Sequence, residues 1–351
     1  MRILIFGAGA VGSYLAGRLA QAGHPVSLVA RGPAAEAILN NGLTLVEGDL
    51  RQLTTPVAFN SLRQAVAEDP GYEVVLLAMK AYDVEAAVNE LVAFYPSAPL
   101  LVSLQNGVGV EELLIEEFGA GRVLAAALTT PLSHETYQSV VVERSDRGLA
   151  LAPAAPGQKI ERWVELFAEA GIETIGQRDY RAMKWSKALV NMIGNATSAI
   201  LNRHPRLIYD YGPTFELEME MLREALAVMK KLRLEPVDLP GVTTGRLAFA
   251  VKRMPAALVK PILTSLVAAG RGAKAPSFHI DLMNGRGRNE VLYHNGAVAA
   301  VGAEEGVKTP VNRALTDILL KLVRREVDYE LYNGRPARLV AEVERYRRGQ
   351  A

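Results

Sequence analysis

Short apolar runs recur through the first half of the chain, each closed by a polar or glycine-rich turn. Residues 2–6 read as a buried parallel strand, because a strand covered on both faces loses its polar alternation. Gly7-Ala8-Gly9-Ala10-Val11-Gly12 follows, then an amphipathic stretch over 13–22 that predicts a helix ending near Gly23. Residues 25–30 form a second strand-like run with Arg31 at its end. Further runs at 74–79, 100–104 and 123–128 predict strands, and 83–94 predicts a helix. Alternating strands and helices predict a doubly wound parallel sheet over residues 1–178. Beyond that point strand alternation disappears. Residues 180–201, 214–233, 243–270 and 310–325 read as helices, with breaks at Pro205, Gly212-Pro213 and 236–241. Residues 179–351 are therefore expected to be all-α.

Composition narrows the function classes. At about 100–200 residues per domain, 351 residues suit two domains, in agreement with the change of pattern. Cysteine is absent, which excludes disulfides, thiolate metal sites and a Cys nucleophile. The five histidines are scattered, so no metal site is expected. The net charge of +1 carries no basic footprint for nucleic acid. No apolar run reaches the roughly 18 residues of a membrane span, and no secretory leader pattern is present, so a cytoplasmic location is expected. Arg345, Arg347 and Arg348 read as a solvated tail. No G-x-S-x-G elbow supports a hydrolase.

The glycine motif has a specific chemistry. Between a strand and a helix, the first Gly allows the tight turn, the second admits a pyrophosphate, and the third lets helix and strand pack closely. The helix N-terminus then offers unpaired N–H groups to the phosphates. Gly7, Ala8, Gly9, Ala10, Val11 and Gly12 are the expected cradle of a Rossmann domain. NAD-selective folds usually carry Asp or Glu after the second strand. Here Arg31 stands there, and its planar fork suits the 2′-phosphate of NADP(H). Lys80 and Asn106 follow two later strands, where open parallel sheets bind ligands. Lys80 suits the cofactor, and Asn106 suits the nicotinamide ribose or the substrate.

In the second half, Lys187, Asn191 and Asn195 are spaced four apart in an otherwise apolar stretch. At about 100° per residue they would share one helical stripe. A buried stripe of this kind is costly without polar partners, which a ligand cleft would supply. Ser277, Asp281, Glu290 and Asn295 form a second polar set, with 284–287 between them as a loop. Glu290 suits a substrate hydroxyl or a lysine.

Taken in order, these motifs resemble the ketopantoate reductase (2-dehydropantoate 2-reductase) family over nearly the whole chain. The likeness rests on the glycine turn, Val-Ala-Arg31, Met-Lys80-Ala-Tyr, Gln-Asn106-Gly, Lys187-x3-Asn191-x3-Asn195, and Pro-Ser277…Asp281…Glu290…Asn295-Gly296. The segment from Gly306 through Pro310 to Asn312 is similar too. The resemblance implies a helical second domain of the 6-phosphogluconate dehydrogenase type and NADPH-dependent reduction of ketopantoate in pantothenate and coenzyme A biosynthesis. It implies Lys187 as general acid, with Asn106, Asn191, Asn195, Ser277 and Glu290 around a 2-oxo acid. It implies that Gly7 to Gly12, Arg31, Lys80, Asn106 and Glu290 hold the cofactor.

Departures from the family pattern are one extra residue between Asp281 and Glu290, Asn289 for Thr, Phe278 for Met, and no glycine-rich pattern over 124–150. The changed segments are expected to help line the pocket, so a reductase of another 2-oxo acid or ketone stays open. A non-catalytic NADP-binding sensor is the alternative from another class, and Lys187 with its two Asn speaks against it. The apolar helices of the second half leave room for a homodimer interface.

Overall fold

The computed structural model describes residues 1–271, 276–285 and 287–350. Two compact units result. One is Met1–Lys184 with Leu239–Val242; the other is Trp185–Asp238 with Thr243–Ala351. The division thus falls after Lys184, inside a helix, rather than after residue 178.

The first unit contains β1 (Ile3–Phe6), β2 (Val26–Val29), β3 (Leu43–Glu47), β4 (Leu50–Thr54), β5 (Val57–Phe59), β6 (Val74–Leu77), β7 (Leu100–Ser103), β8 (Val123–Leu128), β9 (Leu132–Thr136), β10 (Ser139–Val142), β11 (Gly148–Pro153) and β12 (Glu173–Gly176). The main sheet runs β12-β11-β8-β7-β6-β1-β2-β5. From β8 to β5 every pair is parallel. At the other side β11 joins β8 antiparallel, and β12 joins β11 parallel. β1 and β6 are buried at every position, which explains their uninterrupted apolar sequences. Leu15, Leu19, Ile3, Ile5, Leu28 and Leu76 share the core beneath the helix Ala10–Gln21. Each fully buried Leu or Ile contributes about 1.5–3 kcal/mol by leaving water.

A second sheet, β4-β3-β10-β9, escaped the sequence pattern. β4 is exposed along nearly its whole length, so apolar periodicity has nothing to report there. The bridge Leu239–Val242 is a short stitch on the first unit: Thr129 Oγ1 donates to Pro240 O at 2.8 Å.

In the second unit the described elements are helical. Three expectations need correction. The segment 180–201 is not one helix but Tyr180–Met192 and Ala196–Leu201, separated where Gly194 adopts φ +60°. Buried Glu218 fixes that break by accepting Gly194 N–H (2.8 Å) and the Thr197 hydroxyl (2.6 Å). The segment 243–270 is likewise two helices, Thr244–Arg253 and Ala256–Arg271. Pro255 forces Met254 out of the α region, to φ −94° and ψ 149°. Finally, the arginine-rich end is no tail. It belongs to the helix Pro336–Arg347, which buries Leu339 and Val343, while Arg345 pairs with Glu342 and Arg347 with Glu220 and Glu344.

Candidate active site

In the first unit the register brings four strands to a common level. Phe6 lies beside Val29 and Leu77, and Leu77 beside Ser103. Just past that level stand Asn106 (after β7), Lys80 (after β6), Gly7 to Gly12 (after β1) and Arg31 (after β2), in that order across the sheet. At about 4.8 Å per strand the row spans about 14 Å, a length suited to an extended dinucleotide. It lies at the carboxyl ends of the strands, on either side of β1, where the chain order reverses.

The glycines of the turn have separate reasons. Gly7 sits at φ +114°, and a Cβ there would lie 2.8 Å from Met79 N. A Cβ on Gly12 would lie 1.8 Å from Gly7 O. Gly9 is different: the nearest atom to its Cβ position is Ala78 O at 3.9 Å, and its backbone is extended (φ −73°, ψ 177°). The protein itself makes no demand for glycine there; a phosphate lying close to the backbone would. The helix starts at Ala10, earlier than expected, without a side-chain cap on Gly9. Its first N–H groups have no intrahelical acceptor, which makes the turn an anion cradle. The residues present therefore fit a dinucleotide diphosphate.

Arg31 is 70% exposed and pairs with Glu90 at 3.1 Å. An exposed pair of this kind is worth about 0–1 kcal/mol. Little would be lost by redirecting the guanidinium to a phosphate.

Sequence reasoning missed the buried cluster beneath Asn106. Ser103, Gln105, Glu111 and Lys184 are each at most 4% exposed. Lys184 Nζ lies 2.8 Å from Glu111 Oε1 and donates to Gln105 O at 2.7 Å. The signal was present in Ser103 and Gln105 at the end of an apolar strand and in Glu111 on the helix that follows, but a lysine far away in sequence completes it.

In the second unit Lys187, Val190 and Asn191 are the only positions from Ala182 to Leu201 that are not buried. They stand three and four apart, so they form one window on the helix Tyr180–Met192. Asn195 falls outside the expected stripe, in the break, and is buried. Its Oδ1 accepts Phe278 N–H at 3.1 Å, and its Nδ2 donates to Asn191 O (3.0 Å) and Ser277 Oγ (3.2 Å). Exposed Ser277 opens the helix Ser277–Met283, and its hydroxyl proton is not consumed by the Asn195 bond.

Buried His294 joins the group. Its Nδ1 lies 3.1 Å from Glu290 O and its Nε2 lies 3.5 Å from Asn191 Nδ2. Donation from Nδ1 to the carbonyl leaves Nε2 to accept from the Asn191 amide, which sets the amide's orientation. Glu290 is 2% exposed, on a short 3₁₀ turn. Asn295 instead donates to Asn312 Oδ1 at 3.0 Å, within a buried network that includes Glu224. The loop 284–287 includes Arg286, which lies outside the described residues.

Two cavities contain none of these residues. One of about 640 Å³ is lined by Pro213, Phe215, Lys260, Val343 and Arg347. Another of about 690 Å³ lies near Arg2, His24 and Tyr72 in the first unit. Among the described residues no group of three His, Asp or Glu could hold a metal, and no helix is long and apolar enough to cross a membrane.

The family described as ketopantoate reductase PanE/ApbA matches residues 3–153, and its C-terminal counterpart matches residues 179–323. The chain belongs to the ketopantoate reductase family. A 2-dehydropantoate 2-reductase of Pyrococcus horikoshii is 32% identical over 65% of this chain and 73% of its own. That of Aquifex aeolicus is 26% identical over 95% and 98%. Among solved structures, a PanE/ApbA family ketopantoate reductase from Ralstonia eutropha JMP134 superposes with a TM-score of 0.77, at 25% identity, over 93% of this chain and 99% of that one. A D-mandelate dehydrogenase with NADH and anilino(oxo)acetate shares the fold, with a TM-score of 0.78 and 19% identity over 93% and 100%.

Two departures of this ketopantoate reductase relative from its family pattern were expected to help line the pocket. The geometry corrects this. Phe278 is fully buried with its ring edge-on to His294, and Asn289, 1% exposed, donates to Phe278 O at 2.9 Å. The two residues pack against each other and brace the main chain beside Ser277.

Proposed function

We propose that the chain catalyses NADPH-dependent reduction of 2-dehydropantoate to pantoate, a step toward pantothenate and coenzyme A. The window of Lys187, Val190 and Asn191 in a stretch otherwise buried from Ala182 to Leu201 carries this reading. It is supported by the family and by relatives named for that reaction. In this reading Gly7 to Gly12 cradle the diphosphate, Arg31 and Lys80 hold the adenosine end with its 2′-phosphate, and Asn106 binds toward the nicotinamide. Bound NADPH supplies the hydride for the carbonyl carbon.

The chain's own groups do the rest. The Lys187 ammonium stabilises the developing alkoxide and gives it a proton. Asn191, oriented by His294, hydrogen-bonds the substrate. Ser277 accepts from Asn195 and keeps its own proton for the substrate carboxylate. Asn195 thus acts through Ser277 and Asn191, and Glu290 binds the substrate hydroxyl. A half-buried lysine beside Asn191 on one helix window has no use in a cofactor sensor. Because Phe278 and Asn289 are buried, they give no direct reason to expect a different 2-oxo acid.

The experiment is Lys187→Ala. General acid catalysis contributes about 10²- to 10⁴-fold, so kcat should fall by at least about 10²-fold with NADPH affinity retained. An unchanged kcat removes Lys187 from the chemistry. A panel of 2-oxo acids tests the substrate: another ketone turned over far faster than ketopantoate would displace it.

A further inference from the structure

Beneath the proposed cofactor residues lies a charged pair that the reaction itself does not use. Glu111 and Lys184 are 1% and 2% exposed, with Nζ and Oε1 2.8 Å apart. Ionic groups taken out of water cost several kcal/mol each, so the pair must be held by good geometry. The surroundings supply it. Ser103 Oγ lies 2.5 Å from Glu111 Oε1 and 2.9 Å from Gln105 Oε1, two acceptors for one hydroxyl proton. Lys184 Nζ donates to Gln105 O at 2.7 Å. Gln105 Nε2 donates to Leu77 O at 2.7 Å and to Met79 O at 3.2 Å.

These bonds have a direction. They begin at a carboxylate on the helix Val110–Phe118 and an ammonium on the helix Tyr180–Met192. They end on the main chain of the two turns that leave β6 and β7. Met79 O is one residue before Lys80, and Gln105 O belongs to the peptide joined to Asn106. An apolar cluster would fill the same space, but it would leave the Gln105 carbonyl without the Lys184 ammonium and the Ser103 hydroxyl without the Glu111 carboxylate. We infer that Lys184 and Glu111 are positioning residues: they clamp the β6 and β7 turns through Gln105 and so set the places of Asn106 and Lys80 for the cofactor. The inference rests on the proposed cofactor role of Asn106.

Single removal of either charge would strand the other, and such a variant could simply unfold. The test therefore uses the double variant Lys184→Met with Glu111→Leu, alone and with Asn106→Ala. NADPH binding is titrated without substrate through nicotinamide fluorescence, and thermal melting is recorded beside it. Asn106→Ala should weaken NADPH about tenfold in the native background, and about twofold or less once the clamp is gone. Residues acting in one network are not additive, whereas independent stability effects are. The clamp variant alone should weaken NADPH about as much as Asn106→Ala does. Equal losses from Asn106→Ala in both backgrounds, or native affinity in a folded clamp variant, would overturn the inference alone. No effect of Asn106→Ala in the native background would refute the cofactor role of Asn106, and the inference with it.

Discussion

Gly9 and Gly12 sit three residues apart in one turn, yet the structure assigns them opposite failures. At Gly12 an added methyl would stand 1.8 Å from Gly7 O, against backbone that cannot swing aside like a side chain. Overpacking of cores costs about 1–3 kcal/mol, and an overlap with a carbonyl belongs at the upper end. For about 150–250 residues each kcal/mol moves Tm by about 2–4 °C, so Gly12→Ala should melt about 6–12 °C lower. At Gly9 the nearest atom is 3.9 Å away and φ is −73°, which alanine adopts without strain. Losing a glycine N-cap costs a few tenths to about 1 kcal/mol, and the entropy of the unfolded chain returns about 0.4–1 kcal/mol, so Tm should stay within about 3 °C. The same methyl would occupy the space expected for the diphosphate. NADPH affinity should fall at least about tenfold, the loss of about 1.4 kcal/mol of phosphate contact. Differential scanning fluorimetry and nicotinamide fluorescence separate the two. A Gly9→Ala protein that binds NADPH like the native chain would refute the placement of the diphosphate on this turn.

Two further outcomes follow from other sites. Arg31→Ala should weaken NADPH about 10- to 100-fold, as expected for a hydrogen bond between charged groups of about 1.5–3 kcal/mol, and leave NADH nearly unchanged; equal losses in parallel titrations would remove the 2′-phosphate contact. Burial pushes Glu224 up from 4.5 to about 7, although its carboxylate accepts Val311 N–H and Asn312 N–H at 2.9 Å each. A carboxyl whose pKa is raised on folding stabilises fully below about 4.5, and that contribution is lost as pH rises through about 7. The loss approaches about 3 kcal/mol at 1.36 kcal/mol per pKa unit. Urea midpoints at pH 5 and pH 8 should therefore differ more in the native chain than in Glu224→Gln; the same difference in both would rule out Glu224 as the source.

What could be read from the residues was what repeats locally. The apolar runs of β1, β6, β7 and β8 are covered on both faces, and the turn after β1 carries its glycines at closely spaced positions, two of which, Gly7 and Gly12, the fold itself requires. β4 and β9 were invisible because much of their surface faces water, whereas β3 and β10 are mostly buried and their short apolar runs were passed over. The break at Gly194 depends on Glu218, which is distant in sequence, and no propensity rule finds that partner. The break at Pro255, by contrast, was open to the proline rule and was passed over. Lys187 and Asn191 stood out by spacing. The embedding of Asn195, Phe278 and Asn289 did not, since each bonds across a long sequence gap or to main chain.

Leu239–Val242 has a consequence for any attempt to divide the protein. The polypeptide passes from one unit to the other after Lys184, after Asp238 and again after Val242. Gly241, at φ +65°, fits where a Cβ would lie 2.5 Å from Asp146 O, so the small loop is tailored to its seat. No single scission of the gene yields two intact halves. A fragment ending at Lys184 lacks the tetrapeptide that Thr129 holds, and its complement carries that tetrapeptide without a host. Split versions of the protein would need the loop grafted back onto the first unit and Asp238 rejoined to Thr243 in the second.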